Sequence, residues 1–146
     1  MTRDTNSDEA LLEWEASLET GMAQIDEQHR TLIAQIKVIA DRSRANRVAE
    51  TLDFMQNYVR EHFATEERLH HETDYPEAEA HLDVHNAYFQ TILNFKKEYD
   101  AAGGEKHLLM LLKLTNLLSV WWKVHITGMD RRFADYYRAV FPCRAE

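Results

Sequence analysis

The sequence predicts an all-α protein: an up-down-up-down four-helix bundle with an N-terminal arm and a short C-terminal helix. Three observations carry this. The 146 residues include only four glycines and two prolines, too few breakers for a turn-rich β-fold. Apolar residues recur at alternating steps of three and four along four stretches, the spacing that lines one face of a helix. The stretches are joined by short segments, which makes consecutive helices antiparallel neighbours.

The elements follow in order. Residues 1–11 are polar and charged at their start and read as a flexible arm. Residues 12–141 form one bundle domain, and 142–146 a tail. Trp14 and Leu18 open an irregular lead-in that ends at Gly21. The first helix runs from about Met22 to Ser43, with Met22, Ile25, His29, Leu32, Ile36 and Ile39 on its inner face. The second runs from about Asn46 to His71 along Val48, Leu52, Met55, Val59, His62, Glu66 and Leu69. The third starts at Pro76, where proline suits the first turn. Its stripe is His81, Leu82, His85, Tyr88, Phe89, Ile92, Phe95 and Tyr99, and Gly103-Gly104 ends it. The fourth runs from about Glu105 to Thr127 along Leu108, Leu111, Thr115, Leu118, Trp122 and His125. A short helix covers Arg131 to Val140, with Pro142 after it. No internal repeat or linker marks a second domain.

Composition narrows the function. A net charge of −8 argues against nucleic acid, which needs a basic face, and against an anionic membrane surface. No apolar run approaches the roughly 18 residues of a membrane span. The N-terminus lacks the apolar core of a signal peptide. The single cysteine, Cys143, makes no intramolecular disulfide and reads as an inconsequential terminal residue. These features lead to the expectation of a cytoplasmic protein.

The informative residues are polar ones on the inner faces: His29, His62, Glu66, His81, His85 and His125. A histidine or glutamate in a core is costly unless something satisfies it. Their heights agree. His29 lies about two turns into the first helix, His62 and Glu66 near the end of the second, His81 and His85 near the start of the third, and His125 near the end of the fourth. In alternating helices these positions meet at one end of the bundle. Asp130 follows His125 by five residues, which a regular helix would rotate off that face. Gly128 lies between them, so the helix is expected to end or distort there and swing Asp130 inward.

Five imidazoles and two carboxylates are too many for one zinc. Two octahedral metals offer twelve positions. The histidines fill five and two bridging carboxylates four. A solvent-derived oxo or hydroxo bridge fills two, which leaves one open. Oxidising di-iron bundles use four carboxylates and two histidines. A donor set dominated by neutral imidazole should instead hold and release dioxygen.

The segments Trp14…Gly21-Met22-Ala23-Gln24-Ile25-Asp26-Glu27-Gln28-His29, His62-Phe63-Ala64-Thr65-Glu66-Glu67, His81-Leu82-Asp83-Val84-His85 and His125-Ile126-Thr127-Gly128-Met129-Asp130 resemble the hemerythrins, specifically the bacterial single-domain hemerythrins. The resemblance covers about residues 12 to 141. It implies two iron ions with an oxo or hydroxo bridge. His81, His85 and His125 would hold one iron, His29 and His62 the other, with Glu66 and Asp130 bridging. Dioxygen would bind end-on at the vacant position of the His29/His62 iron. The ligand pocket is expected to draw on Trp14, Phe63, Leu118, Trp121, Trp122 and Ile126. One departure stands out: the family usually has leucine where this chain has Trp122, and an indole can crowd the vacancy or offer an N–H there.

Alternatives remain open at this level. The same site would serve a sensor of dioxygen, nitric oxide or iron, with an unknown protein partner. A peroxidase or nitric oxide reductase ranks lower, because no acid–base residue is evident beyond the ligands. A plain structural bundle would bind no metal. Three histidines act as controls. His107 lies at the far end and should be at the surface. His71 and Glu67 should face outward. His70 lies near the correct face but a turn too close to the bundle end.

Overall fold

The computed structural model describes residues 12–41, 48–102 and 106–141. Among these, every regular element is helical. A 3-10 turn at Ala16–Leu18 precedes α1 (Ala23–Ala40), α2 (Val48–Glu72), α3 (Ala78–Ala101) and α4 (His107–His125). A π-helical turn, Ile126–Asp130, then leads directly into α5 (Arg131–Val140). Helix α1 packs on α2 and α4, α2 on α3, and α3 on α4. The ring of neighbours closes as an antiparallel four-helix bundle.

The expected helices are present with ends shifted by a few residues. The expectations for the N-terminal arm, the helix ends at Ser43, Asn46 and Glu105, Gly103-Gly104, Pro142, Cys143 and the tail lie outside the described residues. The α1 stripe is buried in full. Three other stripes need correction. On α2, Leu69 is only half-buried and His70 takes the inward place, because a step of four from Glu66 follows the helix more closely than a step of three. On α3, Leu82 is 40% exposed, since it stands one residue round from the His81–His85–Tyr88 face. On α4, Leu108 is 49% exposed and Thr115 half-buried. The inner face is Met110, Leu111, Leu114, Leu118, Trp122 and His125. This helix is leucine-rich on several sides, so periodicity alone admits more than one stripe.

The apolar interior has two parts. The larger fills the length of the bundle, from Ile39, Val48 and Leu111 up to Phe63, Trp122 and Ile126. The smaller lies beyond one end, where Met22, Ile25, Tyr75, Phe133 and Ala134 meet. The polar donors lie between the two.

The lead-in is fixed by polar contacts. Asp26 accepts from Thr20 N (2.9 Å), Thr20 Oγ1 (2.8 Å) and Gly21 N (3.1 Å). These bonds hold the start of α1, where an acidic side chain also suits the helix dipole. Gly21 has φ 89°, the left-handed region that favours glycine. Arg131 and Arg138 of α5 donate to the carbonyls of Glu19 and Thr20 and tie α5 to this segment.

Candidate metal centre

The structure brings all seven sequence-selected donors to one end of the bundle, each nearly or fully buried. Each helix supplies its share as the stripes required: His29 from α1, His62 and Glu66 from α2, His81 and His85 from α3, and His125 from α4. Asp130 arrives through the π turn. An α-helix advances about 100° per residue, so five residues overshoot by more than a quarter turn. A π-helical turn pairs i with i+5 and brings the fifth residue back onto the same face. His125 Nε2 and Asp130 Oδ1 are accordingly 3.0 Å apart. The helix distorts at Gly128, as expected, but it does not end there.

The donors form two groups whose ligand atoms lie within 4.8 Å of one another. One contains His81, His85, His125, Glu66 and Asp130. The other contains His29, His62, Glu66 and Asp130. The carboxylates belong to both, and each divides its oxygens. Glu66 Oε2 is 3.1 Å from His81 Nε2 and 3.4 Å from His85 Nε2. Glu66 Oε1 is 2.9 Å from His62 Nε2 and 3.8 Å from His29 Nε2. Asp130 Oδ1 is 3.2 Å from His81 Nε2, and Asp130 Oδ2 is 2.8 Å from His29 Nε2.

His81 Nε2 and His85 Nε2 lie within hydrogen-bond distance of His125 Nε2, at 3.1 and 3.3 Å, but for other donor atoms close approach is not hydrogen bonding. Among the described residues, His29 Nε2, His62 Nε2 and all four carboxylate oxygens are buried without a partner of acceptable hydrogen-bond geometry. Leaving such atoms unpaired costs about 1–3 kcal/mol each. Two donors bound about 2.1 Å from one cation at a right angle would lie about 3 Å apart, which matches these spacings. The orphaned atoms and their spacing suit a site that could hold cations.

Outer contacts orient the rings. Gln28 donates through Nε2 to Thr65 Oγ1 (3.1 Å), which leaves its Oε1 to accept from His62 Nδ1 at 2.6 Å. Glu67 Oε1 accepts from His85 Nδ1 at 3.3 Å. In both histidines the proton is thereby placed on Nδ1, and the Nε2 lone pair faces the centre. Periodicity missed both residues. Glu67 was expected to face solvent, yet its side chain is 36% exposed and turns to His85. The signal that finds them is chemical: a ligating histidine needs an acceptor for its second nitrogen.

Electrostatics follow from burial and the shared carboxylates. Burial works to lower His29 and His81, but Asp130 and Glu66 outweigh it and hold each imidazole at about 9. Burial dominates at His62, helped by His29, and its pKa falls. Burial works to raise Glu66, but His62, His29 and His81 hold it well below its ordinary value. Asp130 is lowered in the same way: burial and Glu66 work to raise it, but His125 and His29 prevail.

The aromatic neighbours divide between the groups. Phe63 stacks on His85, with centroids 3.6 Å apart and planes at 4°. Trp121 stacks on His125 at 4.5 Å. Trp122 is fully buried and faces His62 (5.9 Å) and His29 (6.4 Å). Leu118 and Ile126 are buried in the main core. Trp14 is half-buried at the rim, under the Arg30 guanidinium. Among the controls, His71 is exposed. His107 is half-buried, stacking on Tyr99. His70 belongs to neither donor group, yet it is only 2% exposed and its ring is 4.6 Å from that of His81.

Fold and site together define a class, a four-helix bundle with a buried, histidine-rich centre able to hold metal. The family profile described as "Hemerythrin HHE cation binding domain" matches residues 20–137, and the chain belongs to the hemerythrin family. It is 33% identical to a bacteriohemerythrin of Stenotrophomonas maltophilia, over 89% of this chain and 84% of that one. It is 28% identical to a bacteriohemerythrin of Pseudomonas paraeruginosa, over 88% and 83%. It is 24% identical to a myohemerythrin of Theromyzon tessulatum, over 83% and 89%. No described helix is long and apolar enough to cross a membrane.

Proposed function

We propose that the two donor groups hold two iron ions, bridged by Glu66, Asp130 and a solvent-derived oxo or hydroxo group, and that the protein binds dioxygen reversibly. The observation that carries this reading is the division of oxygens. Each carboxylate gives one oxygen to each group, which is how a carboxylate spans two metals. The groups are unequal, with three histidines in one and two in the other. The open position falls to the His29/His62 iron.

The iron would supply redox chemistry and a binding position. The protein's own part is exclusion and orientation. Phe63 and Trp122 pack against the donor rings and Ile126 lies in the same apolar core, which limits water on that side and slows irreversible oxidation. Gln28 and Glu67 hold two imidazoles in the ligating tautomer.

The test is a visible spectrum of ferrous-loaded protein before dioxygen, after it, and after argon. A band that appears with dioxygen and vanishes under argon supports the carrier reading. A band that decays to a stable ferric product would replace it with a sensing or redox role. Absence of bound iron would reject the centre.

A further inference from the structure

Among the described residues, surface openings lead to a donor or to residues that touch one. One is a groove of about 770 Å³ that reaches His125 past Val120, Trp121 and Val124, with Arg131 and Arg132 on its wall. Its one carboxylate, Asp135, is paired with Arg138, so beside two guanidiniums and a largely apolar wall a divalent cation entering there meets few free anionic donors before His125. Another is a pocket of about 300 Å³ between the end of α2 and the start of α3, lined by Glu67, His70, His71, Ala78, Glu79 and Leu82. Four of those six residues carry ligand atoms suited to a divalent metal.

The donors of the second pocket form a graded series. His71 and Glu79 are exposed, Glu67 is half-buried and His70 is buried. The innermost two touch the centre. Glu67 bonds to His85 at 3.3 Å, and the His70 ring is 4.6 Å from that of His81. Among the described residues, neither ring nitrogen of His70 has a hydrogen-bond partner. A buried imidazole normally finds one. This one lines a pocket open to solvent on one side and backs onto a candidate ligand on the other.

We propose that this pocket is the port by which divalent iron reaches and leaves the centre, with Glu79, His71 and Glu67 as outer donors and His70 as the inner one. The proposal rests on the centre holding iron. A port lowers the barrier in both directions and leaves the end states equal. That separates it from a structural support, whose loss speeds release and lowers occupancy.

The test measures uptake of ferrous iron by the metal-free chain under anaerobic conditions, and its release to a strong ferrous chelator. The variants are His70→Leu and the exposed double variant His71→Gln/Glu79→Gln, which touches no core. Steered association is worth roughly 10-fold or more in rate. Both variants are expected to load more slowly by that order and to release more slowly by a similar factor. Final iron content should remain that of the unsubstituted chain. Unchanged rates in both variants would overturn the port. So would faster release with reduced content, which would make these residues supports of the centre. If the unsubstituted chain takes up no iron, the centre itself fails and the port fails with it.

Discussion

His125 and Asp130 are five residues apart and yet present Nε2 and Oδ1 to each other at 3.0 Å. The π turn at Ile126–Asp130 makes this possible. Without it the seventh donor would point away, and neither group would have its second carboxylate.

The glycine in that turn is not needed for space. A Cβ at Gly128 meets nothing within 4 Å, and its φ is not in the left-handed region. Gly128→Ala should therefore keep the iron content and stabilise the fold by about 0.5 kcal/mol, through lower entropy of the unfolded chain. Thermal unfolding and iron analysis check this. Lost iron would mean that the turn depends on glycine's freedom.

Trp122 is the residue expected to control the open position. Its indole packs against His29 and His62 and is fully buried. Trp122→Leu should leave a cavity costing about 2 kcal/mol, admit dioxygen faster and shorten the time to irreversible oxidation. Stopped-flow mixing with dioxygen and the decay of the reversible band measure both. Unchanged rates would remove Trp122 from the pocket.

Gln28 should matter to metal affinity although it is not itself one of the donors. Its carbonyl oxygen lies 2.6 Å from His62 Nδ1, and removing such a partner typically costs 10–100-fold in metal affinity. Gln28→Leu is expected to fall in that range in a competition titration against a chelator. Gln28→Glu, which keeps an acceptor, should retain most of the affinity.

Protons should leave as iron arrives. With no cation present, Glu66 and Asp130 hold His29 and His81 at about 9, so both are protonated at pH 7. Ligation requires them neutral. Iron uptake should release about two protons per chain from these imidazoles in weak buffer, plus those given up by the solvent that forms the bridge, with affinity rising as pH climbs toward 9. Stability carries the opposite sign. Folded values above the ordinary 6.5 stabilise the metal-free chain below 6.5, and that contribution is lost as pH rises through 9. Metal-free protein should thus melt earlier at pH 9 than at pH 6.5, and the loaded protein should not share this loss.

Asp26 should be a stability residue. It accepts three bonds from Thr20 and Gly21 at the head of α1. Asp26→Ala leaves those donors unpaired and should cost about 2 kcal/mol, read as a lower denaturation midpoint. If the midpoint is unchanged, the lead-in contributes little to the fold.

Much of this architecture was legible because ligands obey helix periodicity as strictly as core residues do. His62 with Glu66 and His81 with His85 announce themselves at steps of four, and alternating helix direction sets their common height. Asp130 needed an inference about distortion, since no α-helical step reaches it. Where apolar residues were dense, as along Leu108 to Leu114, periodicity could not choose among faces. Glu67, Gln28 and His70 were not legible. Their roles depend on which side of a neighbouring ring they meet, and spacing along one helix does not encode that.

The smaller apolar cluster has a mechanical consequence. Phe133 and Ala134 of α5 pack with Met22, Ile25 and Tyr75 in a separate apolar cluster, divided from the main core by a polar layer. A segment joined to the rest by little apolar contact is expected to open locally before the whole fold does. Asp130, at the base of α5, then acts as a tether between cluster and bundle. Amide hydrogen exchange in α5 should be fast in the metal-free chain and slow once the tether is fastened, so that loss of iron is felt first as a loosened cap.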